Sequence, residues 1–270
     1  MDALLAHDIL GTALADPLII IQGLGDQLTK WDDGFPQALV ARGFRVIRCD
    51  NRDVGLSPRC PGGYSLADMA GDTIALLDHV GVARAHVVGV SLGGMVAQLV
   101  AAEHPSRVLS LTSIMSSTGN PALSPPNTEV LTALTAPAPD PADEDAFAAH
   151  ARRLARMMGS PAYPDDEVTL RATLLAAARW AHDPAGVTRQ LAAAVSDGDR
   201  RERLARITAP VLVVHGRDDP LFALDHARDT AASVRGAQLL ELPGMGHNLP
   251  RALYATVADA IAALRASPHR

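Results

Sequence analysis

Cysteine is almost missing from this 270-residue chain: only Cys49 and Cys60 occur. Two are too few for a disulfide framework, and no clustered His or Cys partners accompany them as a zinc site requires. Both read as free thiols. Cys49 ends an apolar run and Cys60 lies in a Pro-Gly turn, each without an adjacent base, so neither is expected to be a nucleophile. Lysine is scarcer still, with Lys30 the single example. Positive charge is therefore nearly all arginine, which together with heavy alanine use reads as compositional bias rather than as a binding signal. The net charge is -6 and acidic residues alternate with arginines along the chain. No basic face accumulates of the kind a phosphate backbone needs, which excludes a nucleic-acid partner.

Long apolar runs are absent too. None approaches the ~20 residues required to span a bilayer. Residues Met1 to Gly11 carry Asp2 and Asp8 and lack both a basic leader and a cleavable apolar stretch, so a cytoplasmic location without membrane contact is the expectation. Aromatics make up 3% of the chain. Trp31, Phe147, Tyr163, Trp180 and Phe222 are candidates to line a pocket, with core packing the alternative for each. No internal repeat or coiled-coil heptad occurs.

What is present is a 48% hydrophobic chain long enough to bury one sizeable core. Short runs rich in Val and Ile recur: Leu18 to Ile21, Phe44 to Ile47, Ala85 to Val90, Leu109 to Met115, Val211 to Val214 and Gln238 to Leu242. These read as buried parallel strands. Between them lie helical patterns at Phe35 to Ala41, Leu66 to Val80 and Met95 to Glu103, the last stopped by His104-Pro105. Such alternation predicts an α/β fold: a mostly parallel, doubly wound sheet with helices on both faces and function at the carboxyl ends of the strands. The alternation breaks after about Ser116. A Pro-rich stretch (Pro121, Pro125, Pro126, Pro137, Pro139, Pro141) then precedes only helical patterns until Val211. The expected organisation is a core over residues 1–116, an inserted helical lid over 117–205, and the rest of the core over 206–270. Arg152, Arg153 and Arg156 in that insertion sit at helical spacing and read as a solvated helix face rather than an anion site.

Gly89-Val90-Ser91-Leu92-Gly93 follows directly on one strand and opens a helix. A serine in a sharp strand-to-helix turn needs flanking residues without a Cβ that would meet strand and helix; Gly89, Gly93 and Gly94 supply that room. The bland alternative is a Gly-rich turn. A serine hydroxyl is a poor nucleophile unless a base takes its proton and a third group orients the base. One strand end presents His215-Gly216-Arg217-Asp218-Asp219-Pro220, offering two carboxylates, either of which could instead cap the turn. Another leads into Pro243-Gly244-Met245-Gly246-His247, a Gly-rich loop tipped by histidine. His215, His86 and His79 read as structural. An oxyanion hole needs backbone N–H groups aimed at the developing charge. Leu92, following Ser91, supplies one, and Leu24 in the loop Gln22-Gly23-Leu24-Gly25 is the candidate for the other.

These motifs, with Asp50-Asn51-Arg52-Asp53-Val54-Gly55-Leu56-Ser57, resemble the α/β-hydrolase family over essentially the whole chain. Within it, Phe44-Arg45-Val46-Ile47-Arg48-Cys49-Asp50, the Asn51-Arg52-Asp53 turn and Pro243-Gly244-Met245-Gly246-His247 are most similar to the branch of aclacinomycin methylesterase-like and non-haem haloperoxidase-like esterases. The resemblance implies the chain order Ser, acid, His, hence the set Ser91, Asp219 and His247, with Asp219 preferred to Asp218 because relatives place the acid immediately before the proline or hydrophobic residue of this turn. It implies hydrolysis of a carboxylic ester of a small or medium-sized molecule through an acyl-enzyme, with no cofactor and no metal, by a monomer or homodimer. The same residues would serve amide or C–C hydrolysis or perhydrolysis, and a non-catalytic ligand receptor is the alternative of a different class. Haloalkane dehalogenase and epoxide hydrolase relatives carry an aspartate where this chain has Ser91. Two departures stand out: Gln22-Gly23 replaces the common His-Gly, and the short N-terminus predicts a sheet that begins one or two strands late. Asp50, Arg52 and Asp53 read as a structural turn network beside the site.

Overall fold

The computed structural model describes all residues except 1–3, 31–32, 137, 141, 165, 167, 169, 171–172, 174, 176–182 and 267–270. Trp31, Trp180, Pro137 and Pro141, among the residues singled out above, lie outside the described residues. Seven strands form one sheet among the described residues, in the order β1-β3-β2-β4-β5-β6-β7: β1 His7–Leu10, β2 Asp16–Ile21, β3 Phe44–Cys49, β4 Ala85–Val90, β5 Val108–Ile114, β6 Val211–Gly216 and β7 Gln238–Leu242. All neighbours pair in parallel except β1, which runs antiparallel to β3 at one edge, His7 opposite Cys49.

Burial on both faces explains why the strands read as continuous apolar runs. Along β2, Ile19 and Ile21 join a core cluster under the helices Leu66–His79 and Leu92–Glu103, while Leu18 and Ile20 face the helices Gly34–Val40 and Tyr254–Ala263 on the other side. The same two-residue alternation divides Val211 and Val213 from Leu212 and Val214 in β6. Each such fully buried Leu, Ile or Val is worth roughly 1.5–3 kcal/mol of transfer free energy.

Winding sets the position of the site. The chain passes from β2 to its neighbour β3, then crosses back to place β4 on the other side of β2. The connections after β2 and β4 therefore diverge, and this switch point opens a crevice at the carboxyl ends of both strands. Ser91 and the Gln22–Gly25 loop lie there. Between β5 and β6 the described residues form helices only, including Thr128–Thr135, Glu144–Met158 and Pro184–Asp197. The two ends of this helical stretch are tied together: the Arg200 N–H donates to the Thr118 carbonyl at 2.8 Å, and its guanidinium, 1% exposed, donates to the Ser117 carbonyl at 2.9 Å and to Gln98 at 3.2 Å. Among the described residues no helix is long and apolar enough to cross a membrane.

Most predicted elements appear with ends shifted by one to three residues, as at Asp16–Ile21, Phe44–Cys49, Val211–Gly216 and Leu92–Glu103; two differences change the sheet itself. Strand β1 is additional, and Met115 leaves β5 because its backbone turns to φ 42°.

Candidate active site

Ser91 is the whole connection between β4 and the helix Leu92–Glu103. Its φ of 52° and ψ of -117° fall where L residues are rare, so the surroundings must hold the strain. They do so from both sides: the Ser91 N–H donates to the Ile114 carbonyl at 2.9 Å, and the Ser91 carbonyl accepts from the Ser116 hydroxyl at 2.8 Å and from the Gly94 N–H at 2.9 Å. The flanking glycines are demanded by packing. A β-carbon on Gly93 would sit 2.2 Å from the Ile21 carbonyl oxygen, and one on Gly89 would sit 2.1 Å from the carbonyl oxygen of Gly93.

His247 enters from the loop after β7. Its Nδ1 lies 2.8 Å from Asp219 Oδ2 and its Nε2 lies 3.1 Å from Ser91 Oγ. A carboxylate only accepts, so Nδ1 carries the proton, Nε2 is left as an acceptor, and the Ser91 hydroxyl donates to it. The Asp219 side chain is wholly buried in the turn after β6. Its second oxygen accepts from the N–H groups of Leu221 at 2.8 Å and Phe222 at 2.9 Å. Burial alone would lift the carboxyl, but the imidazole of His247, helped by His215 and the Phe222 amide, holds it below the ordinary carboxylate range. Asp219 is therefore ionised at neutral pH.

Asp218 has other work. Its carboxylate accepts from the Gly244 N–H at 2.8 Å and its own N–H donates to the Met245 carbonyl at 3.1 Å, bracing the loop that carries His247. His215 is fully buried and donates from Nε2 to the Phe222 carbonyl at 2.8 Å. Burial lowers its pKa and keeps it neutral, which fits the structural role read for it. His86, inside β4, hydrogen-bonds Ser110 at 2.7 Å. Cys49 is buried, and burial first, with nearby acidic residues, pushes its thiol up to about 12, far from a nucleophile's range.

Leu92 is the first residue of its helix, so its N–H has no intrahelical acceptor and sits at the positive end of the helix dipole. The Gln22–Gly25 loop passes beside the serine: a β-carbon on Gly23 would lie 3.6 Å from Ser91 Cβ. Gln22, in the place of the common histidine, is completely buried, and neither amide atom of its side chain meets a hydrogen-bond partner among the described residues.

The turn after β3 forms the network expected of it. Asp50, fully buried, accepts from the N–H groups of Leu28 at 2.7 Å and Leu56 at 2.9 Å. Arg52 grips Asp72 with two bonds of 2.6 and 2.7 Å. Asp53 accepts from Arg189 at 2.7 Å.

Of the aromatic candidates, Phe222 stands edge-on to the His247 ring at 5.7 Å. Tyr163 packs against the core cluster that contains Met115 and Met245. Phe147 belongs to a small separate cluster with Ala148 and Leu175. Arg152, Arg153 and Arg156 line an open trench of about 330 Å³ along the helix Glu144–Met158. No group of His, Cys, Asp or Glu among the described residues is arranged to hold a metal ion.

The helical stretch between β5 and β6 contributes contacts to the loops of His247 and Leu24 that the sequence pattern does not reveal. The His247 N–H donates to the Met158 carbonyl at 2.7 Å and the Gly246 N–H to Ser160 Oγ at 2.9 Å. Gly25, beside Leu24, donates to Gln190 Oε1 at 3.0 Å. Nothing in the local pattern at these positions distinguishes them from ordinary helix-end or helix-face residues.

Residues 16–250 match the family model described as alpha/beta hydrolase fold. The chain is 32% identical to rhodomycin D methylesterase DnrP of Streptomyces peucetius, across 94% of this chain and 92% of that one. It is 32% identical to the putative carbamate hydrolase RutD of Variovorax paradoxus, across 90% and 89%. Among solved structures it is similar to the putative non-heme bromoperoxidase BpoC of Mycobacterium tuberculosis H37Rv, with a TM-score of 0.75 at 26% identity, over 96% of both chains.

Proposed function

The chain belongs to the alpha/beta hydrolase fold family, and on that premise we propose that it is a serine hydrolase cleaving a carboxylic ester through an acyl-enzyme on Ser91. One observation carries the reading: a continuous hydrogen-bonded line runs from Ser91 Oγ through His247 to a buried, ionised Asp219, with each residue placed at the carboxyl end of a different strand.

In this reading the Ser91 oxygen adds to the ester carbonyl carbon while His247 Nε2 takes its proton. Asp219 keeps the imidazole in the tautomer that leaves Nε2 free and stabilises the imidazolium that forms. The amides of Leu92 and Leu24 receive the oxyanion, each such donor being worth about 3–4 kcal/mol in the transition state. Collapse of the tetrahedral adduct breaks the C–O bond, and the imidazolium returns its proton to the departing alkoxide oxygen. Water then attacks the acyl-enzyme by the same route, giving its proton to His247, and Ser91 is regenerated as the acid leaves. No step calls on a metal or a cofactor.

Residues 117–205 serve as a lid over the acyl or alcohol portion. Their support is the closure of the segment's two ends through Arg200 and its hydrogen bonds to the His247 loop. The names of the relatives make a methyl ester of a larger carboxylic acid the first substrate class to try, and a carbamate the second. The test is a screen of methyl esters, p-nitrophenyl esters of increasing acyl length and aryl carbamates, with wild type and Ser91→Ala in parallel. Ester turnover lost in the variant supports the reading; turnover that persists in the folded variant refutes it.

A further inference from the structure

The helix Pro184–Asp197 meets the oxyanion loop in a way that chain fold alone does not require. Gln190 is completely buried and both ends of its amide are used: Oε1 accepts from the Gly25 N–H at 3.0 Å, and Nε2 donates to the Arg52 carbonyl at 2.9 Å. One side chain thus bridges the loop after β2 to the loop after β3, which are also joined directly by Asn51 Nδ2 donating to the Gln22 carbonyl at 2.9 Å. The helix is pressed against both loops. Gly25 sits at φ 69°, and a β-carbon there would lie 2.9 Å from Val187 Cγ2. A β-carbon on Gly186 would lie 2.4 Å from the Asp53 carbonyl oxygen. Arg189 on the neighbouring turn is paired to Asp53 at 2.7 Å.

We propose that Gln190 is a positioning residue for the oxyanion hole: by fixing the peptide after Leu24 from the helix that covers the site, it aims the Leu24 amide at the reacting carbonyl. The inference rests on the serine-hydrolase reading given above. Its physical basis is the stringency of oxyanion geometry. A donor helps only when it is held within hydrogen-bond distance of where charge develops, and a misplacement of about 1 Å costs on the order of 100-fold. The loop itself is short and glycine-bearing, so its own backbone supplies little stiffness. An amide acceptor that is itself locked by a second bond supplies it. The consequence is coupling: undocking this helix would release the Gly25 N–H and loosen the donor at the same moment as it opened the site.

The test compares Gln190→Met, which keeps length and loses the bridge, with Gln190→Glu, whose buried neutral carboxyl can accept from Gly25 and donate to Arg52. Steady-state kinetics on an ester turned over by wild type are measured alongside inhibition by an alkyl boronic acid, which forms a tetrahedral adduct on Ser91, and by the product carboxylate. For Q190M, kcat should fall about 10- to 100-fold with KM changed less than about three-fold. Boronate affinity should fall by the same factor as kcat/KM, while product affinity holds. Q190E should recover most of the loss. Unchanged kcat in folded Q190M, or a rise in KM alone, overturns the proposal. If Q190M does not fold, Gln190→Ala takes its place against Q190E with the same criteria. Failure of wild type to turn over any ester or to label at Ser91 would remove the underlying reading as well, so the two failures are distinguishable.

Discussion

The carboxylate of Asp219 accepts the Nδ1 proton of His247 at 2.8 Å, although 28 positions separate them in the chain. Its sequence neighbour Asp218 instead accepts from the Gly244 N–H at the root of the same histidine loop. The two adjacent acids therefore act on one loop in different ways, one on the ring and the other on the backbone. Asp219→Asn leaves shape intact but removes the acceptor that selects the tautomer, and kcat should fall by about 10⁴-fold. Asp218→Asn removes one exposed brace and should cost less than about ten-fold, with a small drop in thermal midpoint. Parallel measurement of kcat in the two variants checks the assignment. A larger loss in Asp218→Asn would reverse it.

Packing around the serine turn makes a second contrast. Gly93→Ala would drive a β-carbon into the backbone at the end of β2, where nothing can rotate away. A loss of more than about 3 kcal/mol, or failure to fold, is expected. Gly71 lies exposed within the helix Leu66–His79 with open space where a β-carbon would go. Gly71→Ala should stabilise the protein by about 0.5–1 kcal/mol. Urea denaturation of both variants checks the pair.

Stability should also fall on mild acidification. His86 is buried within β4, and burial lowers its pKa from 6.5 to about 4. Below pH 6.5 the unfolded chain binds a proton at this residue that the folded protein refuses until pH 4. Stability is therefore fully present above 6.5 and is lost as pH falls through that window, by up to roughly 3 kcal/mol at about 1.4 kcal/mol per unit. His215, also lowered by burial, adds a contribution of the same sign. His86→Gln should flatten the decline between pH 7 and pH 4 without abolishing it. An unchanged slope would show that His86 is protonated equally in both states.

Much of this was legible before the structure, for a physical reason. Strands buried on both faces must be apolar throughout, so β2 to β7 stood out as Val- and Ile-rich runs. The Ser91 turn stands out because its glycines answer steric demands at Gly89 and Gly93. Strand β1 did not stand out: His7–Leu10 is four residues on an edge, with Asp8 paired to Arg48 rather than buried in an apolar run. The apolar run extends one residue past the end of β5 because the turn at Met115 is backbone strain that an apolar side chain conceals. Asp218 and Asp219 could not be separated by spacing alone; resemblance chose between them. Gln190 was invisible because a glutamine on a helix reads as solvated, and only the tertiary fold brings it across 165 positions to Gly25.

Every step of the proposed hydrolysis depends on Ser91 being an activated nucleophile. The most direct measurement is reaction of the purified protein with a fluorophosphonate probe, with the modified residue located by peptide mass spectrometry and Ser91→Ala as control. Stoichiometric modification confined to Ser91, none in the variant, and loss of ester turnover in step with labelling are expected. Folded protein that resists the probe, or equal labelling in Ser91→Ala, would contradict that role for Ser91.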